Sequence, residues 1–176
     1  WRTDKLKNLE LTSSYNRLKD KKKAHKCCDC GTYLEFDFDP ITGVRKLRKA
    51  NFCKLRLCPM CIKRRQKKIY GQMSQIMNVL EKDYAFVFLT LTQKNVIGDE
   101  LPEELGKLLK GWEKLRHRKA FKQAVKGWFR ALEITHNLEE NSLSYDTYHP
   151  HYHVVLVVNK SYFTDKTYIK HESWCK

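Results

Sequence analysis

Three histidines lie at alternate positions in the stretch HPHYHVVLVVN, residues 149–159. In a β-strand, side chains two residues apart point to the same face, so His149, His151 and His153 are expected to project together. Residues 154–158 are all apolar and mostly β-branched, which favours a strand buried on both faces at the centre of its sheet. Neutral imidazoles bind divalent transition metals well, and a shared ion would offset the cost of burying several polar groups. The spacing therefore predicts a metal site, whereas a lone histidine would indicate only a surface or core residue.

An acidic residue in the preceding apolar stretch is a candidate third ligand. Glu133 lies within GWFRALEITHN, residues 127–137, where a charge is rarely buried without a partner. If this stretch is the antiparallel neighbour of the histidine strand, Glu133, His151 and His153 supply one carboxylate and two imidazoles with positions left open for a phosphate oxygen. Such a mixed set suits Mn²⁺ or Mg²⁺ as a catalytic ion. The alternative is a salt bridge from Glu133 to Arg130 or to a lysine.

Four of the seven cysteines form two pairs with the spacing of zinc half-sites. The sequence CCDC supplies Cys27 and Cys30, and CPMC supplies Cys58 and Cys61. Two such pairs are the usual ligands of a tetrahedral structural zinc ion. Cys53, in FCKLRLCPMC, competes for a place in this set. We therefore expect structural Zn²⁺, held either by these two pairs or with Cys53 in place of Cys27, while Cys28 and His25 are less favoured substitutes.

The charge of the chain indicates a polyanionic partner. There are 35 Lys and Arg residues against 20 Asp and Glu residues, a net charge of +15, which is more than solubility requires. Basic residues are concentrated in residues 19–26, 46–49, 63–68 and 114–122. This pattern favours nucleic acid as the partner. In the run KRRQKK we expect five side chains to contact DNA: Lys63, Arg64, Arg65, Lys67 and Lys68.

Composition and termini limit the class of protein. A chain of 176 residues with 41% hydrophobic residues can bury a core as one domain, or as one domain with a small appendage. The sequence has no apolar run long enough to span a membrane and no signal-peptide core, so we expect a cytoplasmic protein. Because the chain begins with Trp1, we expect it to be a piece of a longer protein. Cys175 stands alone near the end and is assigned no role.

The apolar pattern predicts the elements that would position these residues. The stretch TYLEFDF and the turn DPITG predict a hairpin between the two cysteine pairs. A helix, a strand and one or two further helices should follow, before the two strands that carry Glu133 and the histidines. The ranges are 62–80 for the first helix, 84–92 for the strand and 100–125 for the later helices. The predicted fold is α+β, with helices on one face of an antiparallel central sheet.

Three segments are expected along the chain. Residues 1–26 are polar and lysine-rich, and are predicted to be a basic N-terminal arm, either flexible or a short helix. Residues 27–61 form the zinc-binding module. Residues 62–176 form the core with the metal site, which we expect to be truncated at its C-terminus.

Several of these motifs resemble the rolling-circle plasmid replication initiators of Gram-positive bacteria, within the HUH endonucleases. FLTLT, residues 88–92, is similar to the first motif of the family, and HPHYHVVLVVN is similar to its metal-binding second motif. FCKLRLCPMC, with Cys30 and Gly31, resembles its N-terminal zinc region, and RALEIT matches the segment before the histidines. The resemblance covers most of residues 27–168, and the combination of motifs is specific.

The resemblance implies an HUH-type, ferredoxin-like core that nicks and joins single-stranded or hairpin DNA at a plasmid origin, with host replication proteins as further partners. By position, His151 and His153 would be the paired ligands, Glu133 the third, and His149 a flanking residue. The nucleophile of the family is a tyrosine that follows a lysine on a downstream helix. Tyr162 and Tyr168 follow the histidine strand too closely and lack that setting, so we expect the nucleophile after Lys176, and poor cleavage by this chain alone.

Two other classes of function stay open. A zinc-ribbon DNA-binding module without catalysis would explain the charge and the cysteines but not Glu133 and the histidines. A metal-dependent phosphohydrolase that uses water would need the same three ligands and no tyrosine. It would form product without a covalent protein–DNA adduct.

Overall fold

A computed structural model describes residues 1–174 of the chain and divides it into two compact units, Trp1–Ile76 and Met77–Lys176. Cys175 and Lys176 lie outside the described residues. The division between the two units falls after Ile76, whereas the sequence predicted a boundary after residue 61. The reason is that the third helix begins at Pro59, directly after Cys58, and most of its length belongs to the first unit.

The first unit contains three helices and a hairpin. These are α1 (Arg2–Arg17), α2 (Lys21–Cys28), β1 (Leu34–Phe38), β2 (Arg45–Ala50) and α3 (Pro59–Leu80), the last of which extends into the second unit. The Asp20 side chain caps α2 by accepting a hydrogen bond from the Lys23 backbone N–H at 3.0 Å. Gly43, with φ of +68°, closes the turn between the antiparallel strands β1 and β2.

The N-terminal segment is ordered as α1 and α2, which pack against each other. Residues 1–26 lie in the same compact unit as the cysteines. The buried core of the unit is small and consists largely of sulfur-containing side chains, namely Cys27, Cys30, Cys58, Met60 and Cys61. A core this small buries too little apolar surface to stabilise the unit by itself, so another source of stability is needed.

The second unit is built on a three-stranded antiparallel sheet. Its elements are β3 (Tyr84–Thr92), α4 (Leu101–His117), α5 (Lys119–Ala124), β4 (Val125–Asn137), β5 (Thr147–Asn159) and α6 (His171–Trp174). The strand order is β3–β5–β4, so the histidine strand is central, as predicted. The prediction of a mixed α/β fold with antiparallel strands is confirmed.

Helices α4 and α5 contribute the core on one face of this sheet. Trp112, Leu108 and Phe121 pack in one cluster with the β5 side chains Val154 and Leu156. These β5 residues alternate with half-buried ones, Val155 and Val157, along the strand. The prediction that β5 is buried on both faces is therefore wrong. The strand follows the alternation of a sheet with one well-covered face.

Among residues 1–174, no helix is both long enough and apolar enough to cross a lipid bilayer.

Candidate metal centres

The register of the sheet brings Glu133 and two histidines together on the less buried face. In the antiparallel pairing of β4 with β5, Glu133 lies opposite His151, and Ala131 lies opposite His153. Directly opposite residues point to the same face, and residues two apart on β5 do so as well. The three side chains therefore converge because of strand pairing alone.

The three candidate ligand atoms lie close enough together to coordinate a single metal ion. His153 Nε2 is 3.0 Å from Glu133 Oε2, and His151 Nε2 is 3.5 Å from the same oxygen. The two Nε2 atoms are 3.2 Å apart. Glu133, His151 and His153 form one of the two groups among the described residues whose His, Cys, Asp or Glu atoms could share an ion. Two imidazoles and a carboxylate at these separations fit a divalent ion with open coordination positions.

The hydrogen bonds of His151 select the nitrogen that would bind. His151 Nδ1 lies 3.1 Å from the His149 carbonyl oxygen, which only accepts, so Nδ1 carries the proton and donates. The lone pair of Nε2 is then free and faces Glu133 and His153. This arrangement, in which the second ring nitrogen is fixed by a carbonyl, is the usual support of a metal-binding histidine.

The ring of His153 is positioned by an aromatic neighbour. Phe88 of β3 stacks on it, with ring centroids 5.4 Å apart and planes inclined by 23°. His153 Nδ1 is buried and has no hydrogen-bond partner among residues 1–174, so the Phe88 contact and the 3.0 Å contact of Nε2 with Glu133 orient this ring.

Glu133 is exposed, with 53% of its side-chain surface accessible. The expectation that it is a buried charge is therefore wrong, since it lies on the less covered face of the sheet. The alternative of a salt bridge to Arg130 is not formed either. Arg130 points to the opposite face, where its guanidinium lies over the rings of Tyr152 at 4.2 Å and Trp112 at 5.3 Å.

His149 is placed beside this group without belonging to it. Its Nδ1 is 2.8 Å from Asn95 Oδ1, and its ring centroid is 5.2 Å from that of His151. The Asn95 amide is fixed in turn by Thr147, whose hydroxyl oxygen accepts from Asn95 Nδ2 at 3.1 Å. Asn95 was not singled out by the sequence, because a lone asparagine in a loop has no pattern that would distinguish it.

Of the two ligand sets expected from the sequence, the set that includes Cys53 is the one whose sulfur atoms lie close together. Cys30, Cys53, Cys58 and Cys61 form the other group that could share an ion. The sulfur separations are 3.7 Å for Cys30–Cys61 and for Cys53–Cys61, and 3.6 Å for Cys58–Cys30. A tetrahedral site with Zn–S bonds of about 2.3 Å requires sulfur atoms roughly 3.8 Å apart. Cys53 therefore takes the position first assigned to Cys27.

Backbone N–H groups support the thiols as they would support zinc-bound thiolates. The Cys53 N–H donates to Cys30 Sγ at 3.4 Å, and the Lys54 N–H donates to Cys61 Sγ at 3.3 Å. Lys54 adopts φ of +59°, which turns the chain tightly beside the second sulfur. Donors aimed at sulfur stabilise the thiolate form that zinc requires.

Burial sets the acidity of these thiols in the absence of a cation. It raises the pKa of Cys30 and raises that of Cys53 to about 12. For Cys58 burial acts in the same direction, but the Cys61 backbone N–H and the neighbouring thiols donate to its sulfur and lower its pKa. A divalent cation would offset the cost of ionising these buried thiols.

Cys27 is buried next to this centre but interacts with a different group. Its thiol donates to Asn8 Oδ1 at 2.8 Å, and the thiol of Cys58 donates to the same oxygen at 3.0 Å. Burial raises the pKa of the Cys27 thiol. Asn8 is fully buried and comes from α1. The sequence did not identify Asn8, because the contact joins residues far apart in the chain.

The predicted DNA-contacting residues lie on the first half of α3, and all five are exposed. Lys63 is partly neutralised by Asp4, whose carboxylate accepts from Lys63 Nζ at 2.9 Å. The guanidinium of Arg64 lies over the ring of Phe52 at 4.2 Å. Asp4 therefore offsets part of the charge of Lys63, whereas the ring contact leaves the charge of Arg64 unpaired by an acid.

The two tyrosines that follow β5 have structural contacts. Tyr162 is buried in the core of the second unit, and its hydroxyl oxygen accepts from the Ile169 backbone N–H at 3.2 Å. The Tyr168 ring lies against that of Tyr162, with centroids 5.3 Å apart. Tyr162 is therefore a packing residue, whereas Tyr168 is 45% exposed.

Comparison with known proteins relates the whole chain to one family. The family model described as replication protein matches residues 44–176. A protein rep of a Bacillus species is 47% identical over 155 residues, covering 87% of this chain and 48% of the relative. A protein rep of Bacillus amyloliquefaciens is 42% identical, covering 99% of this chain and 52% of the relative. One from Staphylococcus aureus is 42% identical over 149 residues, covering 83% and 63%.

The chain thus spans about half the length of the first two of these relatives. No solved structure matches it with significance.

Proposed function

The chain belongs to the replication protein family, the rolling-circle plasmid replication initiators, and on that premise we propose that the whole protein nicks and rejoins single-stranded or hairpin origin DNA in the cytoplasm. The observation that carries this proposal is the convergence of Glu133, His151 and His153 on the less buried face of the sheet. We further propose that the second unit is an HUH-type core, in which His151 and His153 are the paired histidines.

Each residue of the centre has a defined task in this proposal. Glu133, His151 and His153 would hold Mn²⁺ or Mg²⁺, with the His149 carbonyl fixing the tautomer of His151 and Phe88 holding the His153 ring. When bound, such an ion would polarise a non-bridging oxygen of the scissile phosphate and orient it. The exposure of Glu133 supports the proposal, since a DNA strand must reach the centre from solvent.

The reaction, as the resemblance implies, is a phosphoryl transfer to a tyrosine. We propose that this tyrosine belongs to the longer protein. The tyrosine oxygen forms a bond to the phosphorus, and the bond from phosphorus to the 3′ oxygen breaks. The phenol loses its proton, and the departing oxygen gains one to become a free 3′-hydroxyl that primes synthesis. The reverse attack by a 3′-hydroxyl joins the strand.

The first unit would supply the DNA contacts and the structural ion. We propose that Cys30, Cys53, Cys58 and Cys61 bind Zn²⁺, supported by sulfur separations that suit a tetrahedral site. We propose that Lys63, Arg64, Arg65, Lys67 and Lys68 contact phosphates of the origin, supported by their exposure along one segment of α3. Host replication proteins would act on the nicked product.

Replacing His151 and His153 with alanine tests the proposal. The double variant should lose tight Mn²⁺ binding in calorimetry while retaining its zinc, because the two centres share no ligand. In the full-length protein the same change should abolish nicking of single-stranded origin DNA without abolishing binding, since phosphate contacts hold the strand.

The matched control replaces His25 and His117, two exposed histidines outside the centre, and should leave Mn²⁺ binding and nicking unchanged. Undiminished nicking by the His151 and His153 double variant would exclude the proposal. Product formed without a covalent protein–DNA adduct would favour a water-using phosphohydrolase. An absence of any Mn²⁺ binding by the unaltered chain would favour a DNA-binding module without catalysis.

A further inference from the structure

One face of the hairpin β1–β2 lines an open apolar pocket in the first unit. Phe36 and Leu47 are directly opposite each other in the pairing of the two strands, so their side chains lie on the same face. With Leu34, Trp1 and Arg64 they line a pocket of about 430 Å³. The walls are therefore aliphatic and aromatic, and Arg64 is the one charged residue that lines it.

The two aromatic rings of this pocket face solvent. Trp1 is 55% exposed and Phe36 is 51% exposed, although each has an apolar neighbour to pack against. Large aromatic surfaces left accessible at the wall of a pocket mark a site for a ligand with apolar faces.

Arg64 joins this pocket to a strongly basic surface. A second concavity, of about 480 Å³, is lined by Arg64 together with Lys54, Arg65 and Lys68. A third, of about 290 Å³, is lined by Arg64, Lys63 and Lys67, and also by Trp1, Met60 and Asp4, the last of which pairs with Lys63. Cationic side chains therefore flank the apolar pocket, while the contact with Phe52 holds the Arg64 guanidinium in place. A ligand with an apolar part in this pocket could therefore place anionic groups against the basic side chains on either side of it.

We propose that this pocket binds an unpaired nucleobase of single-stranded DNA, with the phosphates on either side of that base lying against the α3 lysines and arginines. The inference rests on the proposed function and names the part of the DNA that the first unit contacts. A nucleobase combines a flat apolar ring with phosphates on both sides, which matches the lining of the pocket and the charge around it. Bases inside a duplex are stacked on each other, so only an unpaired base can enter.

The test compares two single-stranded probes that carry the same number of phosphates. One is an oligothymidine, and the other is an oligomer of abasic sites of equal length. By fluorescence anisotropy, the chain should bind the oligothymidine roughly tenfold more tightly, the contribution expected of one stacked base. Phe36→Ala should remove this preference and leave the affinity for the abasic probe unchanged.

Phe38→Ala is the matched control. Phe38 lies on the same strand and face two residues further on and is 58% exposed, but it does not line the pocket. This variant should keep the preference for bases. If the unaltered chain binds both probes equally, or if folded Phe36→Ala keeps the preference, the nucleobase pocket is overturned while the phosphate contacts stand.

A second measurement needs no variant and applies even if Phe36→Ala does not fold. Photo-crosslinking of an iododeoxyuridine oligonucleotide to the unaltered chain should yield adducts on peptides that contain Trp1 or Phe36. Adducts confined to residues 77–176 would overturn the pocket. Nicking by the full-length protein is a separate readout, so a failed pocket and a failed nuclease are distinguishable.

Discussion

At the scale of single residues, the competition between Cys27 and Cys53 is decided by geometry that a sequence does not contain. Cys27 forms a Cys-x-x-Cys pair with Cys30, whereas Cys53 only precedes the pair of Cys58 and Cys61, so the spacing alone favours Cys27. The structure places Cys53 beside Cys61, whereas Cys27 donates to Asn8. The Cys27 thiol is thus hydrogen-bonded to Asn8 of α1, and no local sequence pattern indicates that contact.

Serine substitutions separate the two roles. Cys27→Ser should retain one zinc per chain, because a hydroxyl can still donate to Asn8 Oδ1. Cys53→Ser should lower zinc affinity by more than roughly tenfold, a loss found even when only an outer support of a metal site is removed. Competition with a chromophoric chelator measures both affinities. Equal losses in the two variants would contradict the assignment.

At the scale of elements, α1 is attached to the cysteine centre by polar contacts. Lys5 Nζ donates to the carbonyl oxygens of Cys28 and Cys30 at 2.6 and 2.8 Å, and Asn8 is buried between Cys27 and Cys58. The sequence predicted a basic arm here, because α1 has no strong apolar stripe. By contrast, β3 was predicted at its observed bounds, since a run of apolar and β-branched residues identifies a strand without reference to the rest of the fold.

Chelation of zinc should therefore unfold the first unit, including α1 and α2. Structural zinc contributes on the order of 10 kcal/mol in zinc-finger peptides, and the small sulfur-rich core here offers little in its place. Far-UV circular dichroism should show a loss of helix that is reversed by added zinc. The second unit, with its core around Trp112 and Leu156, should keep its own thermal transition. An unchanged spectrum and transition after zinc removal would contradict a structural ion.

At the scale of the whole molecule, the net charge of +15 predicted a nucleic-acid partner, and the family match agrees with it. Composition could not show how the sheet faces differ. Glu133 was expected to be buried because its neighbours in sequence are apolar, but residues 131–136 of the edge strand β4 are all exposed, Leu132 and Ile134 included. Burial of a strand residue depends on what packs over it, and that is a property of the assembled unit.

Binding of single-stranded DNA should weaken steeply with salt. Each phosphate contact contributes roughly −0.7 to the slope of log K against log salt concentration, so replacing Lys67 and Lys68 with alanine should reduce the slope by about 1.4. Replacing Lys110 and Lys166, exposed lysines of the second unit, changes the net charge equally and should leave the slope unaltered. Anisotropy titrations at several salt concentrations measure it. A flat dependence for the unaltered chain would contradict a DNA-facing α3.

The pairing of Glu133 with His151 also determines where the gene can gain or lose codons. Because side chains alternate along β4 and β5, a single-residue insertion between Glu133 and Asn137 would move Glu133 to the opposite face of the sheet, and one between Thr147 and His151 would move both histidines. The connection from 138 to 146 is free of this parity rule, since its length does not alter the register of either strand. Length variation among homologous genes should therefore be tolerated in that connection and selected against within the two strands.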